Sequence, residues 1–268
     1  MRRRRLASPP GYITWLNAVL AAGATPTSTD TTTVKATLAS MKAYNFLLAE
    51  LDYIYVAIGS NPSDTSTNRY NQKRINLVNP GTFNAIVYNP NDSGHASNGT
   101  LGNKSMYWDT GYNSSTRAVN RTNAASWGEI IVSLGTGPIP VDGGWEDGGN
   151  TGYMQPYYPA GSATVFAYGG GSGLVPVITA PYLYYSNVSG GIVEGFANTT
   201  SKTTSSAGTR TVGTRSIYHF GVNSAGSAVY KSDCVSAMTW HGRNFNSTDR
   251  ANWYAIWRDH VAAYSVAI

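Results

Sequence analysis

The middle of the sequence alternates short apolar runs with turns rich in Gly, Asn and Ser, and this constrains the fold most. Between about residues 60 and 240 no helical period of useful length is present, and turn clusters such as "DGGWEDGGNTG" and "NTTSKTTSSAG" separate the runs. Many short strands with Gly-rich turns predict a mainly β protein, an antiparallel two-sheet jelly-roll sandwich. The expected strands are 51–59, 83–88, 105–112, 126–135, 163–169, 174–186, 190–198, 215–223 and 235–243.

Helical patterns precede this β-rich part. The stretch "YITWLNAVLAAG" has two apolar series at helical spacing, Ile13, Leu16 and Leu20 in one and Trp15 and Val19 in the other. The stretch "TSTDTTTVKATLASMKAYNFLLAEL" has one such stripe, formed by Val34, Leu38, Met41 and Leu48. Thr29 or Asp30 is the expected N-cap of this second helix. The pattern predicts an N-terminal helical hairpin that must bury its apolar stripes.

A further helix is expected at residues 247–264, where Asn246 or Ser247 is a natural N-cap. Asp249 follows Asn246 at the spacing of a capping box. Its apolar stripe is wide and aromatic, which favours packing on a sheet over exposure to solvent. The stripe consists of Trp253, Trp257, Val261 and Tyr264.

Charge is scarce, because charged residues make up 12% of the chain against about 25% in an average protein. The net charge is +5 from 19 basic and 14 acidic residues, and without Arg2, Arg3, Arg4 and Arg5 it falls to 15 minus 14, or +1. A broad nucleic-acid-binding face is therefore not expected. We expect the four arginines to anchor the chain to a partner, with DNA as the alternative. No 18-residue apolar run is present, so no membrane span is expected.

Three stretches resemble a known family. The stretch "WHGRNFNSTDRANWYAIW" consists of the end of a strand, Gly-Arg and a capped helix. This order resembles the end of LamG-like, concanavalin-type jelly-roll domains. "GNKSMYWDTGYNSST" is similar to the family's stretch in which an aromatic strand turns at Asp-Thr-Gly. The helical residues before "NLVNPGTF" resemble the preamble of bacteriophage structural proteins that carry such a domain.

The resemblance implies a virion component, namely a head fibre, capsid decoration protein or tail fibre component. It implies a basic tail and helical docking segment at 1–50 and a jelly roll with a closing helix at 51–268. It also implies contact with other virion proteins through the N-terminal segment, and a homo-oligomer such as a trimer.

Two other functions stay open, a glycan-binding receptor or adhesion protein and a polysaccharide hydrolase. Glu50 and Asp52 are two positions apart, but Glu50 lies before the strand expected at 51–59. None of the other three glutamates has an acidic residue two positions away, so no expected strand presents a pair of carboxylates on one face. We therefore expect no enzymatic activity, no catalytic residues and no cofactor.

Two groups of residues are candidates for binding. Aromatic residues near the middle of the chain could form a subunit interface, a core or a platform for a host surface glycan. They are Trp145, Tyr153, Tyr157, Tyr158, Tyr182, Tyr184 and Tyr185.

The four histidines show no ligand spacing, so no transition-metal site is expected. The loop at 142–150 is a calcium candidate, although a surface turn is the favoured interpretation of this stretch. Its oxygen-bearing residues are Asp142, Glu146, Asp147 and Asn150.

Overall fold

The computed structural model shows a mainly β protein with two sheets and a few helices. It describes residues 9, 11–59, 66–89, 95–96, 99–101, 106–113, 115, 124–134, 143–147, 150–158, 162–166, 172–176, 180–190, 192–206 and 214–268. Four α-helices lie in these ranges: α1 (Tyr12–Ala21), α2 (Ser28–Ala43), α3 (Ser66–Lys73) and α4 (Ser247–Ala262). A short 3-10 helix (Leu48–Glu50) precedes the first strand.

Seventeen strands lie in the described residues. They are β1 (Leu51–Val56), β2 (Ile86–Tyr88), β3 (His95–Ala96), β4 (Gly99–Leu101), β5 (Tyr107–Asp109), β6 (Ala124–Ser133), β7 (Gly143–Asp147), β8 (Asn150–Tyr158), β9 (Ser162–Phe166), β10 (Ser172–Pro176), β11 (Tyr182–Ser189), β12 (Ile192–Ala197), β13 (Thr200–Ser206), β14 (Tyr218–His219), β15 (Val222–Ser224), β16 (Ser227–Val229) and β17 (Val235–Gly242).

The strands form two sheets, as the sequence predicts. Sheet A has the order β13-β12-β11-β6-β17-β4-β3, with β1 also paired to β17. Sheet B has the order β10-β9-β8-β7-β14-β5-β2, with β15 on β7 and β16 on β15. The pairings are antiparallel except that of β15 with β7.

One hydrophobic core lies between the sheets and a second lies under the helices. Along β6, Trp127 and Ile131 belong to the inner core, whereas Ile130 belongs to the core shared with the helices. This separation follows from the pleat, since successive side chains of a strand point to opposite faces. Sheet A is therefore covered on both faces, by sheet B and by α1, α2 and α4.

Helices α2 and α4 begin with the same reciprocal cap. The side chain of Thr27 accepts a hydrogen bond from the Asp30 amide, and the Asp30 carboxylate accepts one from the Thr27 amide. Asn246 and Asp249 make the equivalent pair at the start of α4. Each pair satisfies two backbone donors that a helix start would leave unbonded. Asn246 is thus confirmed as an N-cap, whereas the N-cap of α2 is Thr27, not Thr29 or Asp30.

The predicted closing helix is confirmed in position and packing. Its apolar stripe is buried against the outer core, and Trp253 contacts Trp240 of β17 with ring centroids 5.4 Å apart. On α1, by contrast, only one of the two predicted series is buried. Trp15 and Val19 face the core, whereas Ile13 and Leu20 are exposed.

Three segments differ from the sequence-based prediction. Helix α3 was not expected because "STNRYNQK" carries no apolar stripe. The turn cluster at 142–152 contains β7 and the start of β8, and the cluster at 198–208 contains β13. Their Gly, Asn, Ser and Thr content favours turns, but neighbouring strands supply the hydrogen-bond partners that make them strands.

Candidate functional site

Trp145, predicted as a contact residue, is buried in the core between the sheets. It lies opposite Gly152 across the β7–β8 pair, where a Cβ atom would come within 2.7 Å of its Nε1. The glycine therefore makes room for the indole. For Trp145 this overturns the interface and glycan interpretations and supports the core alternative, because a side chain packed here cannot touch a ligand.

The predicted tyrosines of β11 are buried as well, which supports the core alternative for them and overturns the other two interpretations. Tyr182 and Tyr184 belong to the inner core, and Tyr185 lies under the helices. The reason is that β11 runs through the middle of sheet A, which is covered on both faces. The remaining predicted tyrosines, Tyr153, Tyr157 and Tyr158, lie on β8. The structure describes their backbone but not their side chains.

The calcium candidate is part of a hairpin and not of a loop. Glu146 lies on β7, half-buried, and Asp147 pairs with Asn150 where β7 and β8 meet. Asp142 lies outside the described residues, and so do Arg2 to Arg5. Within the described ranges, no group of three or more His, Cys, Asp or Glu side chains could hold a metal ion.

Sheet B carries a stack of three tyrosines on its outer face, which we call the tyrosine ladder (Tyr88, Tyr107 and Tyr218). Tyr88 and Tyr107 are directly opposite each other on β2 and β5, with ring centroids 4.7 Å apart and planes at 9°. The rings of Tyr107 and Tyr218 are 4.8 Å apart at 24°. The centroid spacing matches the distance between neighbouring strands, so the rings stack face to face across the sheet.

The ladder is open at one end and closed at the other. Tyr218 is buried, and its hydroxyl donates a hydrogen bond to the Gly226 carbonyl in the β15–β16 hairpin. Tyr88 is 39% exposed and lies on β2, the last strand of the described sheet on that side. The neighbouring Ile86, on the same face of β2, is 54% exposed. The open end is therefore an aromatic and apolar surface in contact with water.

Charged groups surround the ladder. Lys231 Nζ lies 5.5 Å from the ring centroid of Tyr107, and Asp109 is directly opposite Tyr218 on β5. The pKa of Tyr218 is raised to about 12, first by burial and then by the negative charge of Asp109 and the neighbouring tyrosines. The positive charge of Arg215 lowers this pKa by a smaller amount. The pKa of Tyr107 is raised for similar reasons, burial first. These two hydroxyls are therefore protonated at physiological pH and can both donate and accept hydrogen bonds.

The sequence contains a partial signal for the ladder. Each tyrosine lies in a run predicted as a strand, "FNAIVY", "SMYWDTGY" and "RSIYHFGVN". Which tyrosines meet depends on the order and register of β2, β5 and β14, and the runs lie far apart in the chain. Strand pairing of this kind cannot be read from composition.

Two buried histidines pair with carboxylates between the sheets. His241 Nδ1 lies 2.7 Å from Asp52 Oδ2, and His219 Nδ1 lies 2.7 Å from Glu129 Oε1. A tyrosine hydroxyl also donates a hydrogen bond to each carboxylate. All four side chains of the pairs are almost fully buried. The pairs join strands within the core and lie too deep to touch a ligand in this structure.

No protein-family model matches the sequence, and no curated protein does so either. Among solved structures, a mutant of Trypanosoma rangeli sialidase displaying trans-sialidase activity is similar, with a TM-score of 0.51 and 13% identity. That match covers 85% of this chain and 39% of the sialidase chain. The Trypanosoma rangeli sialidase in complex with sialic acid matches with a TM-score of 0.49 and 14% identity, over 82% and 38% of the two chains.

A further similar structure is domain 4 of a GH43 extracellular arabinanase from Geobacillus stearothermophilus in complex with arabinotriose. Its TM-score is 0.49 at 11% identity, over 75% of this chain and 97% of that domain. At these identities the likeness concerns the fold, and this chain spans only about two fifths of the sialidase chains. None of these three structures is a bacteriophage protein, so virion location and virion partners stay predictions.

The comparisons contradict the expectation that the chain is not an enzyme. The fold is similar to part of a sialidase, and a sialidase is an enzyme. The expectation rested only on the spacing of carboxylates that are close together in the chain. His241 and Asp52 are 189 positions apart and yet in contact, so sequence spacing could not exclude a site assembled by the fold.

Proposed function

We propose that the protein binds glycans at the open end of the tyrosine ladder. The observation that carries this proposal is the exposed Tyr88 ring at the end of a stack that holds it in place. Sugar rings present apolar C–H faces edged by hydroxyl groups. A fixed aromatic ring can cover such a face at low entropic cost, because tyrosine has few rotatable bonds.

The surroundings of Tyr88 suit this class of ligand. Ile86 extends the apolar surface, and exposed apolar patches of this kind commonly mark binding sites. The tyrosine hydroxyls, Asp109 and Lys231 supply both donors and acceptors around the ladder. One basic and one acidic group favour a ligand recognised by its hydroxyl groups over one recognised by a strong charge.

The comparisons support the proposal at the level of fold. The similar structure with a TM-score of 0.51 is a mutant of Trypanosoma rangeli sialidase displaying trans-sialidase activity. We further propose that sheets A and B form a LamG-like jelly-roll sandwich. The antiparallel pairing of distant strands and the capped helix after Gly242-Arg243 support this finer description.

The test is glycan binding by the whole chain and by variants. The protein is applied to a glycan array, and the best ligand is then titrated by calorimetry against Tyr88→Ala and Tyr107→Ala. Removing a stacked ring should weaken binding roughly two- to tenfold. Tyr44→Ala is the matched control, because Tyr44 is 44% exposed but follows α2 on the other side of the molecule.

Reducing ends are followed in the same samples, which shows whether binding is accompanied by cleavage. Unchanged affinity in Tyr88→Ala, or no glycan bound at all, would refute a site at the ladder.

A further inference from the structure

Asp109 lies beside the open end of the tyrosine ladder. In the pairing of β2 with β5 it is directly opposite the exposed Ile86. Two residues along the same pair, Tyr88 is opposite Tyr107. Trp108, between Tyr107 and Asp109, is fully buried in the core between the sheets. Since successive side chains of a strand point to opposite faces, Asp109 shares the outer face of sheet B with the ladder.

The three side chains at the open end lie within reach of one sugar. Side chains directly opposite across a strand pair have Cβ atoms about 5 Å apart, and diagonal neighbours are about 7–8 Å apart. Asp109 is the opposite neighbour of Ile86 and a diagonal neighbour of Tyr88. A sugar whose apolar face covers Tyr88 and Ile86 therefore has its hydroxyl edge at the carboxylate.

The carboxylate of Asp109 is held in place and still has acceptor capacity. Its Oδ1 accepts a hydrogen bond of 2.9 Å from the Gly111 amide, in the turn after β5. In the described part of the chain no basic side chain forms an ion pair with Asp109, and Oδ2 accepts no hydrogen bond. An ionised carboxylate offers about four acceptor positions and no donor. Oδ2 is thus available to the hydroxyl groups of a ligand.

The basic groups near the ladder belong to its closed end. Lys231 follows β16, in the hairpin that covers Tyr218, and its Nζ lies 5.5 Å from the ring centroid of Tyr107, the middle ring. Arg215 lies just before β14, the strand that carries Tyr218. Asp109, in contrast, borders β2 at the open end. A ligand placed on the outermost ring therefore meets the acidic group before the basic ones.

We propose that Asp109 makes the ladder site selective for neutral sugars over acidic ones. This inference rests on the proposed glycan site at the ladder. The hydroxyl groups of a neutral sugar donate hydrogen bonds to a charged acceptor, and such bonds are roughly twice as strong as those between neutral groups. A sialic or uronic acid brings a second carboxylate to the same place, and like charges in contact are a common means of rejecting a wrong partner.

The test is a glycan array that carries neutral glycans and their sialylated and uronate counterparts. The full chain is applied as wild type, Asp109→Asn and Lys231→Gln. We expect the wild type to bind neutral glycans, and to bind their acidic counterparts at least about tenfold more weakly. Asp109→Asn should bind the neutral glycans roughly three- to tenfold more weakly, because the amide keeps the shape of the side chain but loses its charge. The same variant should lose most of the preference against acidic glycans.

Two further variants separate the role of Asp109 from a general effect of charge. Asp259→Asn is the matched control, since it removes one negative charge from an exposed side chain of α4. It should bind like the wild type. Lys231→Gln should leave the preference for neutral glycans in place, because Lys231 belongs to the closed end. Circular dichroism and thermal unfolding confirm that each variant is folded, and calorimetry with the best neutral glycan provides the affinities.

Failure of this inference can be told from failure of the glycan site itself. If Tyr88→Ala loses binding while Asp109→Asn keeps the affinity and preference of the wild type, the ladder binds glycans but Asp109 does not select them. Equal binding of neutral and acidic counterparts by the wild type overturns the inference in the same way, and so does loss of the preference in Lys231→Gln alone. Absence of any glycan binding refutes the site and the inference together.

Discussion

The hydroxyl oxygen of Thr37 lies 2.7 Å from Nδ1 of His260, although the two residues are 223 positions apart. This contact joins α2 to α4. Just beyond the end of α4, the Tyr264 hydroxyl donates a hydrogen bond of 2.8 Å to Asp30, in the first turn of α2. The N-terminal hairpin is thus bound to the closing helix by buried polar contacts as well as by the apolar core.

Burial of His260 makes stability depend on pH. Burial lowers the pKa of this imidazole to about 3, outweighing an opposite effect of Asp30, whereas an unfolded histidine titrates near 6.5. Between these values the unfolded chain binds more protons, so the free energy of unfolding falls as pH falls from about 6.5 toward 3. The slope contributed by one such group is at most about 1.4 kcal/mol per pH unit.

The variant His260→Gln tests this contribution. Urea unfolding is measured for both proteins at intervals from pH 3.5 to pH 7.5. The difference in unfolding free energy between wild type and variant should shrink by several-fold as the pH falls through this window. A constant difference would show that His260 is not the residue that couples folding to protons.

Gly128 should not tolerate a side chain. A Cβ atom at this position would overlap the ring of Trp240 and the Cβ atom of Tyr185, both of which are fully buried. Gly128→Ala should therefore lower the free energy of unfolding by about 1–3 kcal/mol through overpacking. Chemical denaturation provides the measurement. Ser133→Ala, at an exposed position of the same strand, should leave the midpoint unchanged.

The buried pair of Asp52 and His241 should matter more than an ion pair on the surface. Asp52→Ala removes the carboxylate that accepts from a tyrosine hydroxyl and contacts the imidazole, which should cost roughly 3–5 kcal/mol of stability. Asp259→Ala breaks an exposed pair with Arg258 and should have no measurable effect. Equal melting temperatures for the two variants would contradict this difference.

The N-cap of the closing helix gives a smaller effect. Asn246→Ala removes the acceptor for the Asp249 amide and should destabilise the protein by about 1 kcal/mol. The neighbouring Ser247→Ala is the control, because Ser247 is exposed and is not the cap. Thermal unfolding of the three proteins at neutral pH is sufficient to compare them.

A larger aromatic ring at the open end of the ladder should strengthen glycan binding. Tyr88→Trp enlarges the face that a sugar can cover while retaining the stack on Tyr107. We expect an affinity two- to fivefold higher than that of the wild type, on the order of 0.5–1 kcal/mol. A tryptophan that weakens binding as much as Tyr88→Ala would argue against stacking on this ring.

The helices and the apolar strands could be predicted because their signals are local. Asn246 and Asp249 stand three apart, and Trp253 and Trp257 repeat at helical spacing, so both the cap and the buried face of α4 follow from the sequence. The polar strands could not be predicted in the same way. "TSKTTSS" is a strand because β12 lies beside it, and that neighbour is a property of the fold.

The candidate site depended on information that the sequence does not contain locally. Trp145 and Tyr184 look like surface aromatics in a Gly-rich chain, but the two faces of each strand are told apart only by what packs against them. The ladder consists of residues 88, 107 and 218, which meet only after β2, β5 and β14 have paired in sheet B. Composition shows that tyrosine is abundant, but the register in which the strands pair determines which tyrosine rings lie on the surface.

The helices and the tyrosine ladder lie on opposite sides of the molecule. Helix α1 lies beyond the outer face of sheet A, and the ladder lies on the outer face of sheet B. Sheets pack about 10 Å apart and helices pack about another 10 Å away, so a sugar bound at the ladder would lie some 20 Å from the helical layer. A glycan at the proposed site would therefore leave the surface of that layer uncovered.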